Sequence, residues 1–141
     1  MVHDDGHNIL RYLQYVTPEI AINTKLVRPG EVTQWKQLLE PKWQGKILAK
    51  DPGLSGAGAS LIAMLYSTFG GDFVKKLYRD QKPVISRDPR QGAQFLAQGA
   101  YPIFLGPDPA AIDQFQRAGY PLAAQFTTDM PNLLSGGFGL L

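Results

Sequence analysis

A short glycine-rich loop contains the residues of this chain best suited to binding a ligand. The loop runs from Asp51 to Ser60, between an apolar run and a periodic apolar pattern. Its glycines allow close backbone approach, and its small side chains leave amides and hydroxyls unobstructed. Free N–H groups at the helix start that follows can bind an anion, although the loop could also merely reverse the chain. The predicted ligand-binding residues of this loop are Ser55, Gly56, Ala57 and Gly58.

Arg87 is the second candidate for ligand binding, and it follows another short apolar run. A guanidinium at this position could hold a carboxylate or a phosphate through paired hydrogen bonds. The alternative is a surface arginine that pairs with Asp88 or with solvent. In a third loop, Asp108 is most simply interpreted as a helix N-cap, because Pro109 follows it.

The motifs that would indicate a nucleotide site, a metal site or catalysis are not met. A phosphate-binding loop of the Walker type would need Lys after Gly58, and a dinucleotide fingerprint would need Gly in place of Leu61. The chain has no cysteine. Its two histidines, His3 and His7, have metal-compatible spacing but lie in a segment expected to be a solvated tail. We therefore expect no catalytic residue, no metal site and no cofactor.

Alternating strand and helix patterns must position these residues. They predict an α/β fold with an open, largely parallel sheet flanked by helices. Ligands of such sheets bind outside the carboxyl ends of the strands, so the three loops should share one edge. The predicted strands are 9–22 (broken at Pro18), 47–49, 84–85, 101–105 and 121–126. The predicted helices are 31–39, 61–69, 72–80, 89–98 and 109–118.

Length and composition limit the class of protein further. The chain has 141 residues, 44% hydrophobic and 18% charged, which is typical of one folded domain. No apolar run is long enough to span a membrane. The net charge of +2 comes without any basic run, so we expect no nucleic-acid partner. We divide the chain into a frayed start (1–8), a ligand-binding lobe (9–126) and a glycine-rich tail (127–141).

Three ordered patterns carry a family resemblance over about residues 9–126. They are NTxLVxPxExxxWxxLLxPKWxGKI from Asn23, DPxxSGAG from Asp51 and AxGxYPI from Ala97. Together they resemble bacterial extracellular solute-binding proteins of ABC importers, in the family 1 or ferric-iron-binding group with the type 2 periplasmic-binding fold. The resemblance is to the second lobe of such a protein.

The resemblance implies a solute-binding protein without catalytic activity. Two lobes would close on a small anionic or polar solute or a metal complex, with crossing strands near Tyr12–Ile22 and Pro121–Phe126. The loop 55–58 and the Ser86–Arg87 region would contact the ligand. Iron binders of this group use adjacent tyrosines, and the chain has no Tyr-Tyr pair, so iron is unsupported.

The same resemblance implies partners and a location. The partners would be the ligand, a missing first lobe and a membrane permease, with the protein acting as a monomer. The location would be periplasmic or extracellular, with the signal peptide outside this chain, because the start MVHDDGHNIL is polar and acidic. The tail would lead back to the first lobe.

Two alternatives remain open for a chain with this fold. One is an effector-sensing domain of a transcription regulator, which would carry an attached helix-turn-helix segment. The other is an enzyme of the same fold, such as a relative of porphobilinogen deaminase. An enzyme would need an acid–base pair or a cofactor cysteine, and neither is evident in the sequence.

Overall fold

The fold alternates strands and helices along most of the chain. A computed structural model describes residues 2–4, 9–16, 20–53, 57–130 and 133–140, with side chains for 20–53 and 58–130. The strands are β1 Val2–Asp4, β2 Ile9–Val16, β3 Ile20–Asn23, β4 Ile47–Lys50, β5 Val84–Ser86, β6 Ile103–Leu105, β7 Leu122–Gln125 and β8 Leu133–Leu140. The α-helices are α1 Ala57–Phe69, α2 Gly71–Lys75, α3 Pro89–Ala97 and α4 Pro109–Arg117. Two 3-10 helices (Trp35–Leu39, Pro41–Trp43) and a π-helical turn (Lys76–Asp80) complete the described elements.

The central sheet has five strands in the order β5-β4-β6-β3-β7. Strand β4 is parallel to β5 and β6, whereas β3 is antiparallel to β6 and β7. Four strands therefore point the same way and β3 alone runs against them. The predicted α/β class is confirmed, with a mixed sheet in which most strands share one direction.

Both faces of this sheet are covered, which explains why its strands are uninterrupted apolar runs. Alternate residues of a strand point to opposite faces. Ile47 and Ala49 pack with Trp35, Leu65 and other buried side chains on one face. Leu48, between them, packs with Phe104 and side chains of α3 and α4 on the other.

The segment before β4 differs from its prediction, which was a single helix over residues 31–39. Only Trp35–Leu39 is helical, as a 3-10 helix, because Gln34 has an extended backbone (φ −138°, ψ 142°). The carboxylate of Asp129 instead accepts a hydrogen bond from the backbone N–H of Trp35 at 3.0 Å. The distant Asp129 and the local Gln37, whose Oε1 accepts from the Gln34 N–H at 2.9 Å, therefore fix together where this helix begins.

Two segments without a predicted element contain strands. The expected frayed start includes β1, and the glycine-rich tail includes β8; both pair antiparallel with β2 in a separate three-stranded sheet. Glycines at three positions of β8 remove the alternation that identifies a strand in a sequence. The predicted long strand over 9–22 corresponds to β2 and β3, and its break at Pro18 lies outside the described residues. None of the described helices is long and apolar enough to cross a bilayer.

Candidate functional site

The candidate site lies at the carboxyl ends of the parallel strands of the five-stranded sheet, and we call this region the rim. It follows three neighbouring parallel strands, and its described residues are 51–53 and 57–58 after β4, 86–89 after β5 and 106–109 after β6. A Cβ placed on Gly106 would lie 3.1 Å from Leu61 Cδ2 and 3.7 Å from Lys50 Cβ. The third loop therefore packs closely against the elements that flank the first.

Asp51 joins the first two loops of the rim through both its backbone and its side chain. Its backbone N–H donates to the Ser86 carbonyl at 3.0 Å. Its Oδ1 accepts from the backbone N–H of Gly53 at 2.8 Å, which closes a tight turn. Its Oδ2 accepts from Nε of Arg87 at 2.9 Å. Asp51 begins the predicted loop but is not among the residues predicted to bind the ligand.

Gly58 fits the rim because it has no side chain. A Cβ at this position would overlap the Asp51 carbonyl oxygen, and Gly58 is buried. The start of α1 therefore packs directly on the backbone of Asp51. Any larger residue at this position would push the loop and the helix apart.

Arg87 is exposed on the rim and pairs with the partly buried carboxylate of Asp51. The side chain of Arg87 is 83% exposed, whereas that of Asp51 is only 14% exposed. Among the described residues, no side chain or backbone atom pairs with either Nη nitrogen of Arg87. The alternative pairing with Asp88 does not form, because the Asp88 carboxylate caps α3 by accepting from the N–H groups of Arg90 and Gln91.

The Asp51 carboxylate is ionised under ordinary conditions. The hydrogen bond from the Gly53 N–H, followed by the one from Arg87, lowers the pKa of Asp51 below its usual value. The acceptor for Arg87 is therefore charged throughout the neutral and mildly acidic range.

The structure describes the predicted ligand loop only in part. Ser55 and Gly56 lie outside the described residues, and Ala57 begins α1 without a described side chain. Gly53 and Gly58, on either side, belong to the rim. The assignment of Ser55, Gly56, Ala57 and Gly58 to ligand binding remains a prediction.

Lys50 is a further cation of the rim that sequence reasoning missed. It is the last residue of β4, is half-buried, and forms no ion pair with another described residue. Three cations and three carboxylates lie in or next to the described rim, so they sum to no net charge: Lys50, Arg87, Arg90, Asp51, Asp88 and Asp108. Attraction of an anion must then come from individually placed donors rather than from a cationic surface.

Two other polar residues of the rim have structural roles. Ser86 is buried, and its hydroxyl donates to the Asp88 carbonyl at 2.9 Å. Asp108 caps α4 by accepting from the N–H of Ala110 at 2.9 Å, as the sequence predicts. Neither side chain is arranged for proton transfer.

A metal centre finds no support in the described residues. They contain no group of three or more His, Cys, Asp or Glu side chains that could hold a metal ion. Of the two histidines with metal-compatible spacing, His3 lies in β1 without a described side chain, and His7 lies outside the described residues.

A concavity of about 650 Å³ lies elsewhere on the surface, lined by residues 24–31. It adjoins the edge strand β7, because the Gly30 N–H donates to Gln125 Oε1 at 2.8 Å. Its carboxylate, Glu31, already accepts from the Arg28 N–H and from Lys42 Nζ. Strand β7 is four strands away from β5, so this concavity does not belong to the part of the rim that carries Arg87.

This fold, with its rim of strand-to-helix loops, is that of a periplasmic-binding-protein lobe. No protein-family model matches the chain, and no curated protein sequence matches it either. Solved structures do match. Iron-bound HitA from Pseudomonas aeruginosa has a TM-score of 0.71 at 15% identity, over 97% of this chain and 46% of that chain. The periplasmic binding protein AfuA from Actinobacillus pleuropneumoniae, with fructose-6-phosphate bound, has a TM-score of 0.69 at 22% identity. The match covers 96% of this chain and 44% of that chain.

A third structure of the same fold is a two-component system protein that mediates signal transduction. Its TM-score is 0.72 at 20% identity, over 98% of this chain and 46% of that chain. The chain thus spans about half the length of each of these three proteins and matches a single lobe. The resemblance to a periplasmic-binding-protein lobe that the sequence indicates is confirmed at the level of the fold.

Proposed function

We propose that this chain is the ligand-binding lobe of a solute-binding protein that serves an ABC importer. The observation that carries the proposal is the rim, on which Arg87 is exposed, fixed by Asp51 and adjacent to the glycine-rich loop. In an open α/β sheet this edge is where ligands bind. The solute-binding neighbours of the same fold support this role.

The proposed ligand is a small solute with an anionic or strongly polar group. The guanidinium of Arg87 would bind that group, and the backbone amides of Ser55, Gly56, Ala57 and Gly58, together with the Ser55 hydroxyl, would complete its coordination. The described part of the rim has no excess of positive charge, which favours a solute with few charges over a polyanion. The lobe would bind without catalysing a reaction and would need no cofactor.

The proposed partners follow from the half-length match to two-lobed proteins. A first lobe would supply the other side of the cleft, and a membrane permease would receive the solute. The complete protein would work as a monomer. It would be located in the periplasm or outside the cell, and the periplasmic neighbours support this location.

The first experiment identifies the solute and tests the site. Native mass spectrometry of the complete protein, purified without refolding, should show a co-purified ligand as a discrete added mass. The Arg87→Ala variant should then weaken binding of that ligand roughly 10- to 100-fold, because a charge-assisted hydrogen bond is removed. The Ser55→Ala variant should weaken it about 2- to 10-fold.

A matched control accompanies these variants. Arg117 is also exposed (80%) and also pairs with an aspartate, since its Nη2 donates to Asp113 Oδ2 at 2.9 Å. It lies at the end of α4, whereas the rim is at the start of that helix. The Arg117→Ala variant should bind as the unmodified protein does. Unchanged affinity in both Arg87→Ala and Ser55→Ala would refute the site.

A sensing role is the second candidate, and the signal-transduction protein of the same fold favours it. A sensor domain would bind an effector at the same rim but would not deliver it to a permease. The two functions separate in reconstituted vesicles that contain the permease. Stimulation of ATP hydrolysis by the liganded protein supports import, whereas ligand binding without stimulation supports sensing.

A further inference from the structure

We propose that Asp51 is a positioning residue, which holds Arg87 by its Nε so that the two Nη nitrogens receive a two-oxygen group of the ligand. The chemical class of that group is a carboxylate or a phosphate. This inference rests on the proposed function, in which Arg87 contacts the ligand.

Asp51 is itself held too firmly to follow a mobile arginine. Its N–H is bound to Ser86 O, its Oδ1 to the Gly53 N–H, and its carbonyl oxygen packs against Gly58. With both backbone and carboxylate fixed, the remaining oxygen, Oδ2, presents one defined acceptor position to Arg87. The guanidinium is thereby placed relative to the ends of β4 and β5.

The geometry of a guanidinium determines which of its edges remains for the ligand. Arginine binds a two-oxygen group either through Nε and one Nη or through the two Nη nitrogens. Asp51 Oδ2 occupies Nε at 2.9 Å, so the first mode is blocked. The second mode remains, and Arg87 is 83% exposed, so its outer end is open to a ligand.

Positioning and simple charge neutralisation predict opposite results when the carboxylate is removed. A carboxylate next to Arg87 reduces the attraction between the site and an anion. If neutralisation were its only effect, an Asp51→Asn variant would bind an anion more tightly. If Asp51 orients Arg87, the same variant binds more weakly, because the guanidinium must then be ordered by the ligand itself.

The first test needs no ligand and uses nuclear magnetic resonance of the complete protein. The Arg87 Nε–H signal, assigned by its loss in Arg87→Lys, should show slow exchange with water and a high order parameter. Asp51→Asn keeps an oxygen for the Gly53 N–H but turns an amide N–H₂ towards Arg87, so both properties should be lost. Asp113→Asn, which alters the matching pair on α4, should leave the Arg87 signal unchanged. An Arg87 signal that is equally ordered in Asp51→Asn would overturn the proposal.

The second test measures affinity for inorganic phosphate and for acetate, one probe for each chemical class, by calorimetry. Asp51→Asn should weaken binding of the better probe about tenfold, and a cooperative melting transition checks that the variant is folded. In the Arg87→Ala background the same substitution should cause no further loss of affinity, because Asp51 acts through Arg87. Tighter or equal binding by Asp51→Asn overturns the positioning role. An additive loss in the double variant also overturns it.

The positioning role of Asp51 and the ligand-binding role of Arg87 can be refuted separately. If Arg87 is ordered by Asp51 but Arg87→Ala binds both probes as well as the unmodified protein, the ligand role of Arg87 fails and the orientation stands. If neither probe binds the unmodified protein, the assignment of the two-oxygen group fails as well. If Arg87→Ala weakens binding and Asp51→Asn does not, only the positioning role fails.

Discussion

The charge of a single carboxylate, that of Asp51, determines whether the exposed Arg87 is held on the rim. The N–H of Gly53 and the guanidinium of Arg87 lower the Asp51 pKa in the folded protein. A lowered pKa means that the stabilising interaction is complete above the unfolded value, about 3.9. It is lost only as the pH falls through the still lower folded value.

The lowered pKa of Asp51 predicts how the hydrogen bond between Asp51 and Arg87 depends on pH. The slow exchange and high order parameter of the Arg87 Nε–H, corrected for intrinsic exchange, should stay constant from pH 8 to about pH 5. They should be lost only below the ordinary aspartate value of about 3.9. Loss of order between pH 7 and pH 5 would show that another group controls Arg87. The Arg117 signal serves as a reference for solvent-exposed arginine.

At the residue scale, sequence reasoning identified Arg87 and Gly58 on the rim but missed the partner of Arg87. The chemistry of a guanidinium after a buried strand is visible in a sequence. Its pairing is not, because Asp51 lies 36 residues earlier and reaches Arg87 only through the alignment of β4 with β5. Sequence proximity favoured Asp88 instead, whose carboxylate the structure uses as a helix cap.

Among the elements, helix α3 packs so closely on the sheet that Gly92 leaves no room for a side chain. A Cβ on Gly92 would come within 2.6 Å and 2.7 Å of the Phe104 ring and 3.2 Å of Ser86 Oγ. The end of α3 is fixed by the buried side chain of Asn23, whose Nδ2 donates to the Leu96 carbonyl at 2.8 Å. The helix is therefore held at its end and cannot easily move away from the sheet.

The Gly92→Ala variant tests the close contact between α3 and the sheet, because it should lower the stability of the fold if the contact is rigid and raise it if α3 can move. In an unobstructed helix, replacing glycine with alanine stabilises by roughly 0.5–1 kcal/mol. Here the added methyl group meets an aromatic ring, so the free energy of unfolding should fall by about 1–3 kcal/mol. Urea denaturation followed by circular dichroism measures the change. A stabilised variant would show that α3 is free to shift.

The helices with clear caps were predictable, whereas elements that depend on distant contacts were not. Asp followed by Pro marks the starts of α3 and α4 within their own sequence. The start of the 3-10 helix at Trp35–Leu39 is fixed in part by Asp129, which lies 94 residues away. The reversed direction of β3 depends on the edge from which the chain enters the sheet, and apolar patterning carries no information on direction.

At the scale of the whole molecule, the five-stranded sheet has two neighbouring connections to the rest of the chain. Strand β3 begins at Ile20, opposite Leu105 and Gln125, which end β6 and β7 on the rim edge. The preceding strand β2 and the later strand β8 also pair with each other, with Val16 opposite Leu133. The chain therefore enters and leaves this sheet at neighbouring positions, Ile20 and Gln125, and such element-terminal positions are where hinges occur.

This connectivity leads to a prediction for the complete two-lobed protein that we propose. Bending about the two connections would bring a facing lobe towards the rim, so that ligand on Arg87 stabilises a closed form. The radius of gyration, measured by small-angle X-ray scattering, should fall when the solute identified by mass spectrometry is added. Arg87→Ala should remain extended at a solute concentration that closes the unmodified protein, whereas Arg117→Ala should close normally. If the solute binds tightly and the radius of gyration does not change, the rim is a rigid binding surface, and closure of the lobes is not part of its function.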